Sequence, residues 1–528
     1  MMTTVIEKKY IVVPVNNNAV SKKLCFYERE GGEDRLVMAL DCKLDPLEPQ
    51  YMAYIEVSRF LGRRVSYDTV PHVALCLEQS DEMELEGLYA ESYRPKVHFT
   101  PKIGWMNDPN GLIRHRGVYH LFYQYNPCGT EWGNMHWGHA TSHDLLHWEE
   151  QDIALFPDDM GTMYSGSAIE DLHNLTGLGE GENAPKLLFY TAAGDKSLLS
   201  QGKKRTQCLA YSNDGGKSFQ KYKGNPVIGH VIHHNRDPKI VWVEELQKYL
   251  IALYLIEDRY QLFVSENLLD WTPLQEIRIA NETECPDIFS FKIEDKSYWV
   301  LMGASDKYLV GVFEGGKFLP VTKEKQLSYS PHSYAGQSFS GLDDGRVIRM
   351  AWHRLNMPFL RAPHQMSLPV EMKLKLCDAE PTLTAYPVEE IKRLYEDEKI
   401  LSDKTLEQPI EMNLDRAAYD IHMVTDYQEN LTLTLFGHPL LIDTGKNLLT
   451  FGKHTMPISH DRRAIDLRIL VDRCSFEVFA DGGRYCATFY AVCDYNLPDL
   501  RLSAESSPVR VRKLSCHKLA SVHEETEK

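Results

Sequence analysis

The sequence predicts an all-β protein: a β-propeller with a small β-domain before it and a β-sandwich after it. Three observations carry this expectation. Apolar and β-branched runs are short and are broken by clusters of Asn, Gly, Pro and Asp, the pattern of strands and tight turns. Aromatic-rich strands recur along the middle of the chain, at Val118–Tyr125, Lys186–Thr191, Tyr249–Tyr254 and Ser297–Met302. Finally, Thr141-Ser-His-Asp-Leu-Leu-His-Trp148 matches Tyr211-Ser-Asn-Asp-Gly-Gly-Lys-Ser-Phe219 and Val264-Ser-Glu-Asn-Leu-Leu-Asp-Trp271. Each is a strand end, a Ser, a polar turn and then an aromatic. A propeller blade is four strands in roughly 40–50 residues, so with loop insertions this repeat fits a hairpin used once per blade.

Taken in order, residues 1–92 read as a small sandwich-like domain with strands at Tyr10–Val15, Leu36–Leu40, Tyr51–Val57 and His72–Leu77. Residues 93–378 are the propeller. A linker is expected over 379–399, where Val388–Tyr395 is the one convincing helical piece. Residues 400–517 alternate in strand fashion, for example Ala464–Asp472 and Ser475–Ala480 before the turn Asp481-Gly-Gly483, and read as a second sandwich. A polar tail, 518–528, closes the chain.

At 528 residues the chain is long enough for several domains. Its 58 Lys and Arg against 75 Asp and Glu give a net charge of −17, which disfavours nucleic acid and anionic membranes as partners. A neutral small molecule fits, and homo-oligomers are compatible with the sequence. No stretch approaches the ~20 apolar residues of a membrane span. The first residues show no apolar leader, and the 11 cysteines form no C-x-x-C pair. A cytoplasmic protein with reduced thiols is therefore expected. The sequons at Asn174, Asn281 and Asn430 are read as chance. Nucleotide-binding glycine motifs are missing, so no cofactor is expected. His136, His139, His143 and His147 lie close in sequence, but a strand followed by a turn makes their side chains diverge; a metal site is not expected.

Three carboxylates could carry chemistry. Asp108 lies in Gly104-Trp-Met-Asn-Asp-Pro-Asn-Gly-Leu112, between Asn107 and Asn110, with Trp105 before it. Asp-Pro and Asn-Gly both mark turns, so Asp108 is expected at a corner. The flanking amides would hydrogen-bond its charged form and keep its pKa low, as suits a covalent nucleophile toward a sugar. Asp237 follows Arg236, which would hold it ionised. Glu284 precedes Cys285 and Pro286 in an apolar setting that could raise its pKa. Each stands at the start of an apolar strand, and only a closed architecture such as a propeller brings three strand starts together. One ionised and one protonated acid is the pairing of a glycosidase.

These blocks resemble glycoside hydrolase family 32. Trp105-Met-Asn-Asp-Pro-Asn-Gly111, Arg236-Asp-Pro238 and Glu284-Cys285 look like its three signatures, in order and separation. Phe122–Pro127, Trp132–Ala140, Tyr164–Ala168 and Leu467–Phe479 agree as well, so the likeness covers about residues 93–516. The stretch Tyr51–Gly62 is similar to a smaller N-terminal β-domain of levanase-like members. The resemblance implies a five-bladed propeller followed by a β-sandwich, and retaining cleavage of β-fructofuranosides. It implies Asp108 as nucleophile, Glu284 as acid/base and Asp237 as transition-state stabiliser. Asn107, Gln124, Trp132, Ser165 and Arg236 match positions lining the fructose pocket, and Trp105 and Trp132 are expected as apolar walls. Pro369-Val-Glu371 departs from the family's usual Pro-Arg-Glu/Asp. The expected activity is metal-independent release of terminal fructose from sucrose, fructo-oligosaccharides or short fructans. The rivals are a fructosyltransferase using the same acids, a non-catalytic fructan-binding protein and an inverting arabinan-type propeller enzyme, which would lack the Trp105–Gly111 block.

Overall fold

The computed structural model describes residues 1–181, 184–357, 361–377, 380–506 and 508–523. It is all-β apart from short 3-10 turns. Five antiparallel sheets run through the middle of the chain, each meandering outward from an innermost strand. The innermost strands are Trp105–His115, Thr162–Glu170, Arg236–Val243, Asp287–Ile293 and Ser333–Ser338, which we number blades I to V. Neighbouring innermost strands touch all the way round, V against I included. The ring closes where Ile113 bridges Ser340 in parallel, with Arg114 N–H donating to Ser340 O at 2.9 Å.

The aromatic-rich runs are the second strands of blades I to IV: Val118–Asn126, Lys186–Ala193, Lys248–Ile256 and Lys296–Met302. The first three are almost wholly buried because packed blades cover both of their faces, and Lys296–Met302 is buried over its second half. The repeat marks the turn after the third strand. Ser142, Ser212 and Ser265 end those strands and donate from Oγ to Asp144, Asp214 and Asn267 at 3.1, 2.7 and 3.1 Å. The side chains of Asp144, Asp214 and Asn267 in turn accept backbone N–H groups across the turn. Trp148 and Trp271 then donate back to Leu145 O and Leu268 O.

Polar side chains stitch the blades together near the axis. Lys239 of blade III donates to Ser338 O of blade V at 2.7 Å and pairs with Asp287 of blade IV at 3.0 Å. Ser167 of blade II donates to Pro238 O at 2.8 Å.

The N-terminal region has a four-stranded sheet (Met2–Val5, Arg64–Val70, Lys22–Glu30, Glu33–Cys42) facing a three-stranded one (Tyr51–Glu56, Tyr10–Val15, Glu78–Ser80). Residues 72–77 are not a strand; the pairing goes to Glu78–Ser80 instead. Lys22–Glu30 escaped the sequence reading because charged residues flank its apolar centre, Leu24-Cys-Phe26, which alone is buried. Cys42 forms a disulfide with Cys128 of the propeller, so the expectation that all thiols are reduced is corrected.

The linker is shorter than expected. Glu380–Pro387 pairs along Val370–Cys377 as the outer strand of blade V, and Tyr395–Leu406 already belongs to the sandwich. Between them is a 3-10 segment, Glu389–Leu394. The expected break at residues 378–379 lies outside the described residues, as do tail residues 524–528. The start of the tail is packed against the body. Lys518 and Leu519 are in the strand Val509–Leu519, Val522 N–H donates to Lys96 O at 2.8 Å, and His523 stacks on Tyr89 at 4.2 Å.

The C-terminal sandwich has two six-stranded sheets over an apolar core that includes Ile465, Leu467, Ile469 and Val471. It docks on the propeller through a buried charged cluster. His98 lies 2.8 Å from Asp472 through Nδ1 and 2.7 Å from Glu477 through Nε2. Burial disfavours a charged His98, but the two carboxylates win and push its pKa up to about 9. His98, His353 and Glu477 have metal-like spacing, yet a protonated His98 with both N–H groups engaged offers no lone pair to an ion. No helix among the described residues is long and apolar enough to cross a membrane.

Candidate active site

The innermost strands do not run straight to the mouth of the propeller. Register breaks fall between Met106 and Pro109 in blade I, Tyr164 and Gly166 in II, Arg236 and Lys239 in III, and Tyr334 and Gln337 in V. Each break is a bulge that turns a side chain out of the ladder. Asp108 is thus inside a bulged strand, Trp105–His115, and not at the corner of a turn. The Asp-Pro pair was legible as a break in regular structure, but the break is in register and the chain keeps its direction. Gly166 is required in blade II: a Cβ there would lie 1.9 Å from Phe189 O. That close approach presents Ser165 beside Asp108.

Backbone conformation does the same work in blades III and IV. Asp237, Glu284 and Cys285 have φ of 64°, 57° and 34°. Such left-handed residues each cost of order 1–3 kcal/mol and cluster where function demands them.

The result is a cavity of about 370 Å³ that brings together Asn107, Asp108, Gln124, Trp132, Ser165, Arg236, Asp237 and Glu284. Trp105 is not among its walls. Its indole N–H donates to Asn107 Oδ1 at 2.8 Å and its ring meets Trp352 and His364 edge-on, so it positions Asn107 from behind. Gln124 is anchored by its amide to Met163 O at 2.8 Å. The walls also include Tyr164, Arg205, His234, Tyr334, Trp352 and Arg354, which the sequence reading missed. His234 stands two residues before Arg236, at the start of blade III. Tyr334 and Arg354 belong to blade V, where no recognised block pointed to them.

The three acids are held differently. Asp108 accepts from Ser165 Oγ at 2.7 Å, and the Cys285 thiol lies 3.4 Å away. Burial raises its pKa; Ser165 and Asn107 oppose the shift and do not cancel it, which corrects the expectation of a low value. Asp237 accepts the Cys285 backbone N–H at 3.2 Å and lies 3.5 Å from Arg236 Nε. Burial pushes Asp237 up to about 7, and the nearby Asp108 and Glu284 charges add to this against the pull of Arg236. Arg236 does not offset this rise, which corrects the expectation from sequence that it holds Asp237 ionised. Glu284 is gripped on both oxygens, by Arg236 Nη2 on Oε1 and by Tyr334 O–H on Oε2 at 2.8 Å. The setting of Glu284 is polar, not apolar.

One acid on each of three blades, with hydroxyl, amide and guanidinium donors around them, suits attack and proton transfer on a polar, neutral molecule of sugar size. Comparison with known proteins agrees. The model of the glycosyl hydrolases family 32 N-terminal domain matches residues 98–387, and that of the family 32 C-terminal domain matches 439–517. A levanase of Bacillus subtilis (strain 168) is 32% identical over 495 residues, covering 82% of this chain and 71% of that protein. An extracellular exo-inulinase of Aspergillus niger is 34% identical over 352 residues, 57% of this chain and 66% of that protein. The structure of a fructofuranosidase from Schwanniomyces occidentalis, complexed with fructose, superposes with a TM-score of 0.73 at 25% identity, covering 83% of this chain and 100% of that one. The site described here lies within the matched region, and the chain belongs to glycosyl hydrolase family 32.

Proposed function

We propose that this protein is a retaining β-fructofuranosidase that releases terminal fructosyl units from sucrose, fructo-oligosaccharides or short fructans. The observation that carries the reading is the meeting of Asp108, Asp237 and Glu284 from three blades in one sugar-sized cavity. Asp108 attacks C2 of the fructosyl unit while Glu284 protonates the departing oxygen. The bond from C2 to the leaving oxygen breaks as the bond to Asp108 forms. Glu284, now a carboxylate, takes a proton from water, which displaces Asp108 and frees fructose. Asp237 binds fructosyl hydroxyls as positive charge develops on the ring. Ser165 holds Asp108 in line, and Arg236 with Tyr334 holds Glu284. Trp132 offers the sugar an apolar face.

The test is product analysis on sucrose, inulin-type oligomers and levan, with Asp108→Asn as control. We expect free fructose from the wild type and almost none from a folded Asp108→Asn protein. Oligosaccharides growing in concentrated sucrose would favour the fructosyltransferase reading, and unchanged turnover by Asp108→Asn would remove Asp108 from the nucleophile's role.

We also propose a cytoplasmic location. Nine cysteines are free, seven of them buried, as a reducing compartment would leave them. The Cys42–Cys128 bond weighs the other way. Cell fractionation decides: recovery outside the cell would overturn this location and leave the activity untouched.

A further inference from the structure

A second cleft adjoins the catalytic cavity. It has a volume of about 230 Å³ and lies between the N-terminal domain and the propeller loop 126–135. Trp132 is a wall of both spaces.

That loop is fastened to the N-terminal domain at three points. Cys128 is bonded to Cys42. Asn134 accepts the Asp41 N–H and donates to the Asp41 carbonyl, each at 2.8 Å, as a strand neighbour would. Lys43 pairs with Glu131 at 2.7 Å. Within the loop Asn126 donates to Glu131 O at 2.8 Å and accepts from Asn134 at 3.0 Å. A loop held this firmly presents Trp132 rigidly, yet the indole is 52% exposed and touches Tyr164 edge-on at 5.9 Å. Burial does not account for a fixed, exposed tryptophan between two polar clefts. A flat apolar platform for a ligand that is polar at its edges does.

The chemistry of the second cleft defines that ligand. Asn17, Ser21 and Thr130 bring amide and hydroxyl groups; Lys43 is neutralised by Glu131 and Asp41 by Lys23, and Lys196 adds one further donor. Such a lining suits a neutral polyhydroxyl compound better than an ion. We propose that this cleft is a second carbohydrate-binding site, built by the N-terminal domain, which takes sugar units of the leaving chain after they cross Trp132. The inference rests on the fructosidase reading for the identity of that chain. It gives the N-terminal domain a role in selecting oligosaccharides over sucrose.

The test uses Ser21→Trp, which fills the cleft from an exposed position, and Lys196→Ala, which removes a donor. With a fructose pentasaccharide, kcat/KM should fall about tenfold through KM, the effect of losing about 1.4 kcal/mol of binding. Sucrose, too short to reach the cleft, should be split as before. Equal effects on both substrates, or none on either, would overturn the proposal. Calorimetric titration of the pentasaccharide into Asp108→Asn protein, with and without Ser21→Trp, needs no turnover. Unweakened binding there also overturns the second site, whereas weakened binding without hydrolysis by the wild type would sink the fructosidase reading and leave the second site standing.

Discussion

Arg236 and Glu284 come from different blades and meet in the cavity at the mouth of the propeller, where Nη2 of the guanidinium donates to Oε1 of the carboxylate. Tyr334 donates to the other oxygen at 2.8 Å, so both oxygens of Glu284 are engaged. The carboxyl group proposed to protonate the departing oxygen is thus aimed by two neighbours. Tyr334→Phe removes one aim and leaves the ring. A hydrogen bond to a charged group is worth about 1.5–3 kcal/mol, so kcat on sucrose should fall by about tenfold or more. Unaltered kcat would show that Arg236 suffices.

Glu284→Ala should fail in two distinguishable ways. General acid–base help is worth about 10²–10⁴ in rate, and the leaving glucose of sucrose needs the acid most. Activity on an activated aryl fructoside should suffer less. Azide needs no base and should enter the vacated space, giving β-fructosyl azide with retained configuration. An inverted azide product, identified by NMR, would rule out double displacement.

Asp237→Asn should trade activity for stability. Burial first, then the nearby carboxylates, raise Asp237 to about 7, so the folded protein prefers it protonated. A raised folded pKa means stability that is complete below the unfolded value and is lost as pH rises through the folded one. The cost of ionising Asp237 therefore builds between about pH 4 and 7, and Asn avoids it. At pH 8 the variant should melt higher than the wild type by the equivalent of about 1–4 kcal/mol, and near pH 4 the two should converge. The reverse order of melting temperatures at pH 8 would contradict a buried, costly Asp237. Its activity should be strongly reduced throughout.

The domain junction should weaken in alkali. The burial cost of charging His98 is exceeded by Asp472 and Glu477, which raise it to about 9. This support is complete below about pH 6.5 and is lost as pH rises toward 9. Melting temperature should fall across that window. His98→Gln should lie well below the wild type at pH 7, by about 3–5 kcal/mol, because it leaves buried carboxylates without their cation. A flat wild-type profile from pH 7 to 9 would show that His98 is neutral in the folded protein.

Much of this architecture was legible in the sequence because it is local. The turn chemistry after Ser142, Ser212 and Ser265 and the apolar second strands repeat blade by blade, and short-range hydrogen bonding and burial explain both. The acids Asp108, Asp237 and Glu284 were legible as three short blocks at strand starts. What local pattern could not convey is how those blocks are held. Asp108 lies inside a bulge and not at a turn, because pairing to Val118–Asn126 resumes after the break. Trp105 looked like a wall and is a support, since Trp352 and His364 from blade V close around it. The charge states of Asp108 and Asp237 depend on burial that only the assembled ring imposes, and it outweighs the neighbours that sequence places beside them. Tyr334 and Arg354, and the fastening of Trp132 by the N-terminal domain, join residues up to hundreds of positions apart. Sequence alone singled out Asp108, Asp237 and Glu284, the three acids that meet in one cavity. Closure of the ring and docking of the flanking domains decided how far burial raises Asp108 and Asp237, how Glu284 is aimed and the shape of the space around all three, because those depend on contacts between segments far apart along the chain.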